Sequence, residues 1–103
     1  MGQPDPEKIT DAELRRLALR GGIGLRSILV APYRAAMPDA SPQEALDILE
    51  AVLRARGLTV ACRLDQATRL VVEVDVATLL DLTSLTEVGR IDDNGIVRAI
   101  DGK

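Results

Sequence analysis

The chain has 103 residues, a length typical of one domain, and 47% of them are hydrophobic, which is enough to form a single core. It has no histidine and one cysteine, which excludes histidine-based catalysis, histidine-containing zinc sites, disulfides within the chain and four-thiolate metal centres. The net charge of −3 argues against a general affinity for nucleic acid or anionic membranes.

The N-terminal residues lack the charge and the apolar centre of a signal peptide, and the chain has no apolar run of 18 residues. A single cysteine is typical of a reducing compartment. We therefore expect a soluble, cytoplasmic protein that does not enter a membrane.

Residues 1–9 contain two prolines and no periodic pattern, which predicts a flexible arm followed by one domain over residues 10–103. Thr10-Asp11-Ala12-Glu13 has the spacing of a capping box with Thr10 as the cap. Apolar residues at helical spacing follow it, and they predict a helix that ends at Gly21-Gly22.

The stretch Ile23–Met37 has two interpretations. It can form a second helix, with Leu25, Ile28 and Leu29 facing inward. Alternatively, residues 27–30 form a short buried strand and Pro32 begins a helix that reaches Met37. Periodicity does not separate the two over so short a run, and the helix-forming composition favours the helix.

The segment Ser41–Arg56 carries the strongest local helix signals in the chain. Ser41 and Glu44 are spaced for a capping box, and Pro42 occupies the first helical position. Gly57 is placed to end the helix in a left-handed conformation. The apolar face predicted for this helix consists of Ala45, Ile48, Leu49, Val52 and Leu53.

Two runs of alternating apolar residues follow, Leu58–Leu64 and Leu70–Val76, and they predict antiparallel strands covered on one face. The alternation places Cys62 in the core as a structural residue rather than a reactive thiol. Arg63 and Glu73 are expected on the opposite face as a cross-strand pair.

Asp75 is placed to cap a short helix from Val76 to Leu82, with an extended connection or a continued strand as alternatives. Asp92-Asp93-Asn94-Gly95 has turn chemistry and predicts a hairpin between Glu87–Ile91 and Ile96–Ile100. A calcium loop is a poor fit, because Arg90 would occupy the first ligand position.

These elements predict an α+β fold in which two or three N-terminal helices pack on one face of a mostly antiparallel sheet of three or four strands. The helix Ser41–Arg56 should lie across Val60, Cys62, Val72 and Val74. A winged helix-turn-helix has a similar element order, but acidic residues begin the helix that would enter DNA.

No residue pattern predicts a catalytic site, a cofactor site or a metal site. Gly21-Gly22-Ile23-Gly24 lacks the lysine and the preceding strand of a Walker loop. A metal-dependent hydrolase would have to use the carboxylates Asp65, Glu73, Asp75 and Asp81, although charged residues on an outer face are normally just solvated.

The leading interpretation is a non-enzymatic protein–protein interaction module, such as a regulator, inhibitor or adaptor, whose partner is another protein or a second copy. A secretion-chaperone-like role fits this class by analogy of size and charge alone. Contact would use the open sheet face, a sheet edge or the arginine-rich N-terminal helices. The expected contact residues are Arg15, Arg16, Arg20, Arg26, Arg34, Arg63, Arg69, Glu73 and Asp75.

The alternative function is nucleic-acid binding, in which the N-terminal arginines contact phosphates. Neutralisation of these arginines by nearby acids is the simpler explanation of their presence.

Overall fold

The structure, a computed structural model, describes residues 3–21 and 24–94. They form the helices Ala12–Arg20 (α1), Pro42–Ala55 (α2) and Leu79–Thr83 (α3), and the strands Leu25–Pro32 (β1), Thr59–Leu64 (β2), Arg69–Asp75 (β3) and Val88–Asp93 (β4). Short 3-10 turns occur at Pro6–Lys8, Arg34–Ala36 and Val76–Thr78. The predicted α+β class is confirmed.

The four strands pair antiparallel in the order β2-β3-β1-β4. β1 and β2 are therefore parallel with β3 between them, and β3 and β4 are parallel with β1 between them. Because α2 connects the first of these pairs and α3 the second, the chain forms two interlocked split β-α-β units. This is the connectivity of the ferredoxin-like fold, and it identifies an architecture rather than a function.

The helices lie on one side of the sheet, and no other element of residues 3–21 and 24–94 covers the opposite side. β3 faces the helices through Leu70, Val72 and Val74, each at most 2% exposed, as the alternation predicts. These side chains share one core with Leu46, Leu49, Leu53, Leu79 and Leu82 of α2 and α3.

The boundaries of α2 follow the local signals. The Ser41 hydroxyl accepts from the Glu44 N–H at 3.1 Å, and the Ser41 N–H donates to the Glu44 carboxylate at 2.9 Å. At the other end Gly57 has φ +82°, and its N–H donates to the Arg54 carbonyl at 2.9 Å. The predicted capping box and glycine ending are both confirmed.

Ser41→Ala should lower the free energy of unfolding by about 1 kcal/mol, because it removes the acceptor for an N–H that has no partner within the helix. Urea unfolding followed by far-ultraviolet circular dichroism measures the change. Thr86→Ala removes an exposed hydroxyl outside the helices and serves as the control. Equal effects of the two substitutions would show that the capping box does not stabilise α2.

The helix favoured for Ile23–Met37 is wrong, and the strand alternative is closer to the structure. β1 occupies most of this stretch, and Pro32 ends the strand instead of beginning a helix. The physical reason is position, because β1 lies between β3 and β4 and is paired on both sides. A central strand is buried whatever its intrinsic helix propensity, so tertiary pairing decides its conformation.

α1 forms where predicted, but its cap is different. The Asp11 carboxylate, rather than the Thr10 hydroxyl, accepts the N–H of Leu14 at 2.8 Å. Thr10 lies outside the helix because its own N–H donates to the carbonyl of Ile91 at 2.9 Å. This contact joins the start of α1 to the outer edge of β4.

The residues before α1 include contacts with the core. Ile9 is fully buried and forms a parallel bridge with Ile91. The Asp5 N–H donates to the Thr83 hydroxyl at 2.9 Å. The flexibility of residues 1–9 stays a prediction.

β2 contains a bulge that the sequence pattern did not predict. Val60 pairs with Val72, but the next paired residue on β2 is Cys62, opposite Val71, so Ala61 is an extra residue. An extra residue reverses the side-chain alternation of the rest of the strand. The predicted burial of Cys62 beneath α2 is therefore wrong, since Cys62 is exposed on the open side of the sheet.

The segment after β3 is helical, as expected. The Asp75 carboxylate accepts from the Ala77 N–H at 3.2 Å, and the 3-10 turn that it begins leads into α3. β4 extends through Asp92 and Asp93, which belong to the strand rather than to the predicted turn. The second strand of that hairpin, Ile96–Ile100, lies outside the described residues.

Candidate functional site

The surface of interest is the side of the sheet opposite the helices, which we call the open face. The strand registers arrange its side chains in three rows that run across the sheet. The acidic row is Thr59, Glu73 and Ser27; the central row is Cys62, Val71, Leu29 and Asp92; the basic row is Leu64, Arg69, Ala31 and Arg90. Beyond these rows, Asp75 of β3 extends the acidic end, where it lies opposite Leu25 of β1, which is 75% exposed.

The middle of the open face is apolar. Leu29 and Val71 are half-buried, and Cys62 is exposed beside them. Leu64 is 37% exposed at the outer strand, in the basic row. The open face therefore combines an apolar centre with a negative end and a positive end.

Three side chains surround the Asp92 carboxylate. The Thr10 hydroxyl donates to Oδ1, the Arg90 Nε lies 3.1 Å from Oδ1, and the Arg69 Nε lies 3.8 Å from Oδ2. Burial by itself would raise the pKa of Asp92, but the hydrogen bonds from Thr10 and Arg90 and the charges of Arg90 and Arg69 outweigh it and lower the pKa. The charged carboxylate thus links β4 to β3 across β1.

Asp92→Asn should destabilise the protein more at neutral pH than in acid. Because folding lowers the pKa of Asp92, its ionised form stabilises the folded state above the unfolded pKa of about 3.9. That stabilisation is lost as the pH falls through the lower folded value. Urea unfolding of both proteins between about pH 7 and about pH 3 measures the difference.

The control for Asp92→Asn is Asp39→Asn, which removes the same formal charge at an exposed position outside the sheet. The free energies of unfolding of wild type and Asp92→Asn should differ at neutral pH, and this difference should become smaller as the pH falls. A difference of the same size at both ends of the pH range would contradict the role given to the ionised carboxylate.

Arg63 lies on the opposite side of the sheet from its predicted position. The bulge turns it toward α2, where it contacts Asp47 at 2.5 Å and donates to the Gln43 carbonyl at 3.1 Å. It also lies 2.7 Å from Asp65, and hydrogen bonds to Asp47 and Asp65 raise its pKa above its ordinary value. Arg63 therefore connects β2 to α2, and Thr59 rather than Arg63 lies opposite Glu73.

The five N-terminal arginines do not form one described cluster. Arg15 donates to the Ile9 carbonyl at 3.1 Å, Arg26 lies 3.7 Å from Asp93, and Arg34 donates to the Ala40 carbonyl at 2.9 Å. Arg26 is near the start of β1 and Arg34 follows its end, so the length of the strand separates them. The remaining two, Arg16 and Arg20, are exposed on α1.

The carboxylates considered for catalysis are also dispersed. Glu73 and Asp75 are exposed on β3, Asp65 contacts Arg63, and Asp81 is exposed on α3. Within residues 3–21 and 24–94, no three carboxylate, histidine or cysteine side chains are grouped closely enough to hold a metal ion. Over the same residues, no helix has the length and apolar character needed to cross a membrane.

A surface depression of about 690 Å³ lies at the helical layer, lined by Pro4, Arg56, Asp81, Ser84, Leu85, Thr86 and Glu87. It includes no residue of the open face. Its lining comes from the N-terminal segment, the residue that follows α2, α3 and the segment joining α3 to β4. No convergent set of buried polar groups marks it as a binding pocket among the described residues.

The two outer edges of the sheet differ. At β4, Ile9 and Thr10 cover part of the edge through the bridge and hydrogen bond to Ile91. At β2, the edge carries the bulge at Ala61, which interrupts the regular ladder that an added strand would need. Both features disfavour strand addition and leave the open face as the larger unpartnered surface of the described sheet.

The sequence pattern placed Arg69, Glu73 and Asp75 on the open face. It did not identify Leu29, Cys62, Val71, Arg90 or Asp92 as residues of this face. Leu29 was available from the strand alternative for residues 27–30, which puts it between two inward-facing residues. The contribution of Asp92 had no sequence signal, because its partners Thr10 and Arg69 are far away in the chain.

Comparison of the chain with protein-family models, curated proteins and solved structures gave no match. The candidate site therefore depends on the geometry and chemistry of the chain's own residues.

Proposed function

We propose that this protein is a non-enzymatic protein–protein interaction module, a small regulator or adaptor, that binds its partner through the open face. The observation that carries the proposal is a sheet surface that no described element covers, with Leu29, Val71 and Cys62 at its centre and charges of opposite sign at its ends. Apolar centres with polar rims are typical of protein interfaces.

The chemistry of the open face favours a protein partner over a small-molecule substrate. Among residues 3–21 and 24–94, no cavity encloses the open face in a way that would desolvate a small ligand. Its charged groups, Arg69, Glu73, Asp75 and Arg90, lie around the apolar centre, where they would add orientation and encounter rate more than affinity.

The experiment is affinity capture from the native lysate with the full chain immobilised. Val71→Arg places a charge at the apolar centre and should abolish retention of the specific partner. Ile48→Arg makes the same kind of change at an exposed position on α2, where Ile48 is 41% exposed, and should leave retention unchanged.

Circular dichroism of both variants verifies that each is folded before capture. Retention of the same proteins by wild type, Val71→Arg and Ile48→Arg would overturn the assignment of the open face. Loss with Ile48→Arg alone would move the interface to the helical layer.

Nucleic-acid binding is the alternative function, and it would have to use exposed arginines such as Arg16 and Arg20. It predicts a mobility shift at about 50 mM salt, where electrostatic binding is strong. Loss of that shift in an Arg16→Ala, Arg20→Ala double variant would support the alternative over the protein-binding proposal.

A further inference from the structure

We propose that the occupant of the open face is a second copy of the same chain, packed face to face about a two-fold axis that runs along the central row. This inference rests on the proposed function and names its partner. It follows from the order of the three rows, which is complementary to itself when one copy is reversed along the strand direction.

The symmetry can be followed on β3 alone. Arg69, Val71 and Glu73 are alternate residues on one face of that strand, with Val71 in the middle. A two-fold axis through Val71, perpendicular to the strand and in the plane of the interface, places Arg69 of each copy against Glu73 of the other. Each dimer then has two such ion pairs, as an isologous interface requires.

The same operation brings like residues together in the central row. Val71 meets Val71 and Leu29 meets Leu29, so the apolar centre of each copy covers that of the other. Packed sheets are about 10 Å apart, a distance that an arginine and a glutamate side chain can span together.

The charges of the central and basic rows are compatible with this arrangement. The axis also places Asp92 of one copy opposite Asp92 of the other, and Arg90 and Arg69 of each chain offset the charge of its own Asp92. The described contacts of Arg69 use Nε toward Asp92 and Nη1 toward the carbonyls of Ala67 and Thr68. Its Nη2 points to no partner among the described residues and can donate to an incoming carboxylate.

The size of the open face predicts a weak dimer. Four strands with about six residues each cover roughly 20 by 20 Å. Two such faces bury about 800 Å² in total, below the roughly 1,200 Å² at which stable specific interfaces begin and within the range of weak, transient contacts. We therefore expect a micromolar rather than a nanomolar dissociation constant.

The test is analytical ultracentrifugation of the full chain over about 5 to 500 μM, a range that brackets a micromolar dissociation constant. The average mass should rise with concentration from the 11.1 kDa of the monomer toward twice that value. Arg69→Glu and Glu73→Arg each create two like-charge contacts in the proposed dimer. Each should weaken self-association by about tenfold or more.

The decisive sample is an equimolar mixture of the two single variants. One copy then has acidic groups at both positions and the other has basic groups at both, so the mixture should associate more tightly than either variant alone. The double variant Arg69→Glu, Glu73→Arg exchanges the two charges and should also associate more tightly than either single variant, although it lacks the contact between Arg69 and Asp92. Circular dichroism verifies that each variant is folded.

A wild-type chain that stays monomeric at the highest concentration would overturn the proposal that the partner is a second copy. A mixture that associates no more tightly than the single variants would overturn it as well. These results are distinguishable from failure of the proposed function. If the chain is monomeric while lysate capture still depends on Val71, the open face binds a different protein and only the identity of the partner is wrong.

Discussion

Leu49→Ala should lower the free energy of unfolding by about 2–5 kcal/mol, the range expected for truncation of a fully buried leucine. Leu49 is fully buried on the inner face of α2, in the core shared by the helices and the sheet. Truncation removes buried methyl groups and leaves a cavity that the surrounding aliphatic side chains fill only partly. A loss of this size is a large fraction of the stability of a typical domain.

The adjacent residue provides a matched control. Ile48 is also a branched aliphatic residue on α2 but is 41% exposed, so Ile48→Ala should lower the free energy of unfolding much less than Leu49→Ala. Urea unfolding of wild type and the two variants, followed by circular dichroism, measures both changes in the free energy of unfolding. If Ile48→Ala were the more destabilising change, the orientation of α2 on the sheet would be incorrect.

Gly89→Ala should lower the free energy of unfolding by about 3 kcal/mol, at the upper end of the range for overpacking. A Cβ at this position would lie 2.9 Å from the Pro32 carbonyl oxygen and 2.9 Å from the Tyr33 Cα. Both atoms belong to the backbone of the adjacent strand end, so no side-chain rotation relieves the contact. To make room for the Cβ, β1 and β4 have to move apart next to Pro32, where the register of their pairing already shifts.

Amide hydrogen exchange locates this effect. The Tyr33 N–H donates to the Glu87 carbonyl at 2.8 Å, and it should exchange faster in Gly89→Ala than in wild type. The control is Gly57→Ala, which has open space for a Cβ but a φ of +82°, and it should cost about 1 kcal/mol without changing exchange at Tyr33. Unchanged exchange at Tyr33 in Gly89→Ala would contradict the close approach of these backbones.

Much of the fold was predictable where local signals decide the structure. α2 has a capping box at Ser41 and a glycine at its end, and β3 has apolar residues at every second position from Leu70 to Val74. The residues of each of these elements are sufficient to predict whether it is a helix or a strand. The residues of β1 are not sufficient, because its conformation follows from pairing with β3 and β4, which lie far from Ile28 in the sequence.

The candidate site was predictable only in part for the same reason. Arg69 and Glu73 follow from the alternation of β3, which the structure preserves. The pattern predicted Cys62 on the helix side of the sheet and Arg63 on the open face, and the structure has the reverse. One extra residue in β2 reverses the alternation, and no glycine in that strand marks the position of the bulge. The contacts of Asp92 on the open face are with residues distant in the sequence, so the sequence pattern around Asp92 does not predict them.

The bulge in β2 also bears on how this surface can evolve. Deletion of Ala61 would restore continuous alternation, and it would turn Cys62 and Leu64 toward α2 and Arg63 toward the open face. A change of chain length by one residue would thus replace a thiol and an apolar side chain on the open face by a cation, while every other residue kept its identity. A point substitution in this outer strand changes one side chain, whereas a one-residue deletion moves three side chains to the opposite face.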